Sequence, residues 1–478
     1  MLFNSLNFAI FLPIVFILYW FFTKNEIKKQ NFVLLVASYF FYGCWDYRFL
    51  FLLAFSTFLD YFTGIKIFNS SNTRERKIWL FISVFINLGL LGVFKYYNFF
   101  VESFGHLLEG FSLQPHFTTL NVILPVGISF YTFHGLSYVF DIYYGKLTPT
   151  KNFVDYSLFV SFFPLLVAGP IERAHHFLPQ IQSSRQFDYS KAIDGLRQIL
   201  WGLFKKIVIA DTCATHANII FENYGNYSGS TLVIGAFLFA FQIYCDFSGY
   251  SDIALGTARL FGFELLRNFA YPYFSRDIAE FWRRWHISLS SWFRDYLYFP
   301  LGGSKVGKWK RIRNTFIIFL VSGFWHGANW TFIVWGLLHA IYFLPLLLLN
   351  KNRNNLTIVA QGKLLPGTKD VLNILTTFTI TVFAWIFFRS NTLPDAFNYV
   401  SRIFSSSMFH SPEIFPKIVF LLIAFFLVIE WIGREHQYSI AHLGLRWPTM
   451  VRWGFYCFLI ISIISFTGNE QQFIYFQF

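Results

Sequence analysis

Two histidines in this chain stand where their chemistry would matter. His286 lies in FWRRWHIS, among arginines and tryptophans, and His326 lies in FLVSGFWHGANW, between Trp325 and Gly327. Histidine has an ordinary pKa of about 6.5, so a positioned imidazole can accept a proton from an attacking hydroxyl near neutrality. Both histidines belong to Arg276–His339, where charges cluster ahead of Pro300 and the Gly302–Gly303 pair. Five basic residues follow between 305 and 313, then an apolar run with His326 inside it. Ionisable groups are costly in apolar surroundings and persist where they meet a partner, a wet cavity or a reaction. If 276–297 is one helix, Arg283, His286, Ser290 and Arg294 share a face that would line a polar channel. Gly323, Gly327 and the small Ala328 would let a substrate approach the backbone beside His326.

Other chemistry is weakly signalled. No phosphate-binding loop, dinucleotide glycine pattern, HExxH or GxSxG is present. Cys44, Cys213, Cys245 and Cys457 are scattered without a CxxC or metal spacing, which reads as reduced, mostly packed thiols. The adjacent His175–His176 suggest a metal pair at first sight. Neighbouring side chains on a helix point apart, however, so an interfacial polar turn is the better reading. Asp246, Ser248, Asp252 and Arg259 imply a buried polar network, with a structural salt bridge as its simplest account. Lys205–Lys206 reads as an interfacial anchor on an amphipathic segment, 192–210.

The elements that must hold these groups are set by composition. The 478 residues are 55% hydrophobic and 23% aromatic but only 13% charged, against roughly 25% in a soluble domain. Apolar runs near 20 residues, about the length that spans a bilayer as helix, recur from end to end. Lipid leaves open backbone groups unsatisfied, so continuous runs of this kind span as helices. The expected fold is all-α: a polytopic membrane bundle of roughly 11 to 13 transmembrane or re-entrant helices, with 1–478 as one integral domain. The net charge of +13 reflects loops facing anionic lipid rather than nucleic acid. The N-terminal apolar run lacks a basic leader and a small-residue cleavage site, and reads as a retained first helix.

The set FWRRWHISLSSWFRDYLYFPLGG and FLVSGFWHGANWTFIVWGLLHA resembles the membrane-bound O-acyltransferase family. So do SYFFYGCWDYRFL (38–50), LPVGISFYTF (124–133), FFPLLVAGPIERA (162–174), GLFKKIVIAD (202–211), YCDFSGYSDIALG (244–256), FFRSNTLPDA (387–396) and FIYFQF (473–478). Within that family the motifs resemble the branch that serves alginate O-acetylation. The resemblance implies a helical bundle around a central channel that moves an acyl group from a cytoplasmic thioester to an acceptor outside. His326 matches the family's near-invariant histidine, and His286 matches a second polar position. Trp325, Arg294, Asp295 and Ser290 share these motifs and are expected to line the substrate path. His339 lies 13 residues beyond His326, on about the opposite helix face, and is expected to pack in the core.

The implied reaction is direct acyl transfer, with His326 as general base and His286 polarising the carbonyl or orienting the acceptor. No bound cofactor is implied; acetyl-CoA would be the acyl-donor substrate. Implied partners are membrane lipid, a polysaccharide acceptor and an extracytoplasmic SGNH-hydrolase-like acetyltransferase, with the chain multi-pass in the bacterial inner membrane. The alternatives are D-alanyl transfer to teichoic acid and a transporter or channel without chemistry; the second would favour paired half-repeats with broken helices, which are not evident.

The densest Lys/Arg clusters, in 23–31, 66–77, 305–313 and 351–369, should lie on the cytoplasmic side. From Asn314 a helix lifts His326 by ~18 Å, past the middle of a core ~30 Å thick. The basic loop after Leu349 requires the chain to return, so 314–349 should be a hairpin with His326 near its bend. A cysteine at Lys308 should therefore escape an impermeant maleimide in intact cells. Strong labelling there would reverse this orientation.

Overall fold

The computed structural model describes residues 1–24, 26–113, 118–120, 123–167, 169–468 and 471–474. Residues 114–117 of the polar stretch 114–119, and 475–478 of FIYFQF, lie outside the described residues. Among the described residues all regular structure is helical. Six helices are long and apolar enough to cross a membrane: Tyr47–Asn69, Thr73–Glu109, Gly229–Leu260, Trp330–Leu348, Thr368–Arg389 and Thr449–Phe466. Leu6–Phe22 is a shorter apolar helix, and several other segments are short or interrupted. The chain is a polytopic helical membrane protein. Its residues group into two compact units, 1–191 with 258–266 and 192–257 with 267–478.

The first unit is organised around buried polar contacts. Asp46 caps the short turn Tyr47–Phe49 and pairs with Arg48 at 2.5 Å, so GCWDYR divides two helices as its composition implies. Asp60 is buried and accepts from Ser83 Oγ at 2.7 Å and Asn87 Nδ2 at 2.8 Å. Only a glycine fits opposite, because a Cβ on Gly135 would fall 1.9 Å from the Asp60 carboxylate. His134 Nε2 accepts from the Glu172 backbone N–H at 3.1 Å. His175 faces Asp141 at 3.4 Å, while His176 meets Glu172 at 2.8 Å. The two adjacent imidazoles point at different carboxylates and not at one metal.

The second unit corrects the reading of Lys205–Lys206. Both are buried, in a wide π-helical turn, Phe204–Ala210. Lys206 Nζ meets Asp211 at 2.7 Å and Asp246 at 2.8 Å, and Lys205 Nζ meets Asp252 at 2.6 Å and Ser248 at 3.0 Å. An anchoring lysine keeps its ammonium in water; these two instead neutralise the carboxylates of Gly229–Leu260. The structural reading of the Asp246–Asp252 network is the one observed. Glycines let the helices approach: a Cβ at Gly202 would lie 2.6 Å from the Gly249 carbonyl, and one at Gly256 2.4 Å from the Gly195 carbonyl.

The expected hairpin is present. Lys308–His326 and Trp330–Leu348 are joined by a short turn, and Asn329 caps the second helix by accepting from Thr331 N at 3.0 Å. The helices cross where small residues let backbones touch. A Cβ on Gly323 would sit 2.2 Å from the Phe332 carbonyl oxygen, and one on Gly336 2.3 Å from that of Phe319. Gly336→Val should therefore destabilise the fold by about 1–3 kcal/mol of overpacking or more and lower the melting midpoint in detergent. Gly89→Ala, with nothing within 4 Å of the added carbon, should leave it unchanged. Equal midpoints would mean the two helices are not in contact.

Candidate active site

The helix expected over 276–297 is broken at the first candidate residue. Asp277 caps Ile278–Arg284 by accepting from Glu280 N at 2.7 Å, and a second short helix runs Ile287–Phe293. His286, between them, is in the left-handed region at φ 41°, ψ 57°. That conformation is uncommon outside glycine and occurs at sites the surroundings over-determine. The clamp is Asn268. Its backbone oxygen accepts from Ile287 N at 2.9 Å, its Oδ1 accepts from Ser288 Oγ at 2.6 Å, and its Nδ2 donates to Ser251 Oγ at 3.1 Å. The shared face of Arg283, His286, Ser290 and Arg294 is thereby lost. Arg283 is exposed and donates to the carbonyls of Asn352 and Asn355, whereas His286 is buried. Sequence reading missed Asn268, because a single asparagine in LLRNFAYP carries no periodic signal.

His326 is the last residue of Lys308–His326 and is 3% exposed. Trp325 stands between the two histidines, with ring centroids 6.0 Å from His286 and 4.9 Å from His326. Phe247 meets His286 edge-on at 4.6 Å, and Trp335 and Phe388 pack on His326 at 5.1 and 5.3 Å. An apolar aromatic wall excludes water and strengthens electrostatic interactions inside it.

The other candidates are placed differently. Ser290 Oγ donates to the Trp285 carbonyl at 3.4 Å, and Arg294 pairs with Asp295 at 2.9 Å in the wide turn Arg294–Tyr298. These three lie beyond His286 with local partners, and Arg294 is 57% exposed. Gly323 and Gly327 do not open the backbone to a substrate. Phe332 occupies both: its ring would lie 2.1 Å from a Cβ on Gly327, and its carbonyl oxygen bars one on Gly323. Their small size serves helix packing. Among the described residues no three His, Cys, Asp or Glu side chains group as metal ligands.

His339 packs in the core as expected, but not for the expected reason. The opposite-face argument treated 326–339 as one helix, and the turn before Trp330 interrupts it. His339 therefore shares Trp335 with His326, at 4.9 Å, and its Nδ1 accepts from Trp282 Nε1 at 3.2 Å.

Comparison with known proteins puts this helical membrane chain in the class of membrane acyltransferases. The chain belongs to the membrane-bound O-acyltransferase family, whose model matches residues 147–388 and so includes His286 and His326. It is 35% identical to the "Probable alginate O-acetylase AlgI" of Pseudomonas putida KT2440 over 502 aligned residues, spanning 100% of each chain. It is 37% identical to the peptidoglycan O-acetyltransferase of Helicobacter pylori, over 83% of this chain and 78% of that one. A teichoic acid D-alanyltransferase of Bacillus subtilis is 31% identical over 48% of this chain and 60% of its own length. The chain is an acyltransferase of this family.

His339→Ala should destabilise the fold by about 2–5 kcal/mol, as buried large-to-small changes do, through the cavity and the stranded Trp282 N–H. Acyl transfer per folded molecule should survive. The check is thermal melting set beside activity normalised to folded protein; a fully stable His339→Ala without activity would give His339 a chemical role.

Proposed function

We propose that this chain is a bacterial inner-membrane O-acetyltransferase. It would take an acetyl group from acetyl-CoA on the cytoplasmic face and move it across the membrane to an acceptor hydroxyl, for O-acetylation of an exopolysaccharide or cell-wall glycan outside. The carrying observation is the juxtaposition of His286 and His326 across Trp325 at the end of the hairpin helix. His326 accepts the proton of the acceptor hydroxyl as its oxygen attacks the thioester carbonyl. The carbon–sulfur bond breaks, and the departing thiolate takes the proton back from His326. His286, held in place by Asn268, orients the acceptor or polarises the carbonyl. Trp325 lines the path between them, with Ser290, Arg294 and Asp295 on its outer turns. The similarity to alginate and peptidoglycan O-acetylating relatives favours a glycan acceptor. An SGNH-hydrolase-like acetyltransferase outside the membrane would complete delivery.

His326→Ala and His326→Gln should accumulate near wild-type levels yet lose transfer by about 10²–10⁴-fold, the usual worth of a positioned base. His286→Ala should be impaired but leakier. The measurement is turnover of labelled acetyl-CoA by purified protein in vesicles. A folded His326→Gln that keeps a substantial fraction of wild-type transfer removes His326 from the chemistry. D-alanyl transfer is tested in the same vesicles with a D-alanyl thioester on a carrier protein; preference for it would replace acetyl-CoA as the donor.

A further inference from the structure

A pocket of about 320 Å³ lies in the same unit as the histidines. Four guanidinium groups line it, Arg267, Arg283, Arg284 and Arg434, against two carboxylates, Glu280 and Glu435. Arg284 is neutralised by Glu280 at 2.7 Å, and Glu280 also takes Arg276 at 3.0 Å. Glu435 is 3.9 Å from Arg434 and accepts from Gly362 N at 2.7 Å. Arg267 and Arg283 bond neutral carbonyls: Arg267 that of His436 at 3.2 Å, Arg283 those of Asn352 and Asn355 at 2.9 and 2.8 Å. A carbonyl satisfies an N–H but leaves the positive charge in place, so the pocket is net positive. Each guanidinium carries five donors in a fork that matches phosphate oxygens.

Two features indicate what the charge is for. The pocket wall includes Asn355, Leu356 and Ile358, from the basic loop assigned to the cytoplasmic side. Arg267 also lines a narrow polar cleft with Lys205, Asp252, Asn268 and Glu430. Arg267 immediately precedes Asn268, which clamps the turn at His286. The positive pocket and the histidine site are thus joined through two consecutive residues.

We propose that the Arg267–Arg283 pocket binds phosphate, and that this phosphate belongs to the nucleotide end of the acyl donor. The assignment of the donor rests on the function proposed above; the recognition of phosphate rests on the pocket. An anionic lipid headgroup carries the same chemistry, and the experiment separates the two sources.

Purified protein is assayed with acetyl-CoA and with acetyl-pantetheine, which has the thioester but no phosphate, for wild type, Arg267→Gln and Arg283→Gln. The wild type should prefer acetyl-CoA. Each variant should raise its KM for acetyl-CoA by about tenfold, the equivalent of one charge-assisted hydrogen bond, and so lose most of that preference. Desulfo-coenzyme A should compete in the wild type and weaken in parallel, and Glu435→Gln should tighten it. Equal losses on both donors, or no competition by desulfo-coenzyme A, overturn the proposal. If phosphatidylglycerol nanodiscs, and not desulfo-coenzyme A, raise the melting temperature in an Arg267-dependent way, the phosphate is a lipid's and the donor assignment falls. If the wild type transfers acetyl from neither thioester yet still binds desulfo-coenzyme A through Arg267 and Arg283, the donor reading fails and the pocket stands. Should Arg267→Gln not accumulate, the exposed Arg283 carries the test.

Discussion

A lysine ammonium sealed inside an apolar bundle survives as a cation only while carboxylates stand beside it. Lys206 is in that position, and the rest of the second unit hangs from it. It draws Asp211 and Asp246 together, and Asp246 in turn accepts from the Ile474 backbone N–H at 2.7 Å. Lys206 also donates to the Gln471 carbonyl at 3.0 Å. One buried charge therefore ties the wide turn Phe204–Ala210, the long helix Gly229–Leu260 and the segment 471–474. The next residue along that helix, Phe247, is the edge-on neighbour of His286. Truncating one member of such a set typically costs about 3–5 kcal/mol, because its partners keep their desolvation penalty.

The site itself is built by aromatic rings. Trp325, Trp335, Phe388 and Phe247 leave the two imidazoles little freedom of orientation. Edge-to-face contacts of this kind are worth about 0.5–1.5 kcal/mol each beyond their burial. They fix the plane in which each ring lies.

Much of the fold was legible because hydropathy and charge act over whole segments. The apolar runs, the basic loops and the return of the chain after His326 all follow from averages over many residues. The candidate histidines were legible because an ionisable residue in such a run is conspicuous, and because long motifs around them resemble a family. What escaped was decided by single contacts. Nothing in RRWHIS announces a left-handed residue, since the break is imposed by Asn268 from elsewhere in the sequence. Lys205–Lys206 had the pattern of an anchor, and only the carboxylates on another helix make a buried lysine tolerable. Gly323 and Gly327 were read as room for a substrate, and the neighbour that takes that room is Phe332.

The position of His326 as the final residue of its helix makes that helix a ruler. Eighteen steps separate it from Lys308, about 27 Å of rise. Adding or removing one residue would move the imidazole by about 1.5 Å along the axis and swing it by about 100° around it. The side chain would leave Trp335 and Phe388, which reach it from other helices. Chain length between the basic turn and the histidine is thus part of the site's chemistry. A single insertion or deletion in the helix would displace the imidazole in a way that few point substitutions could.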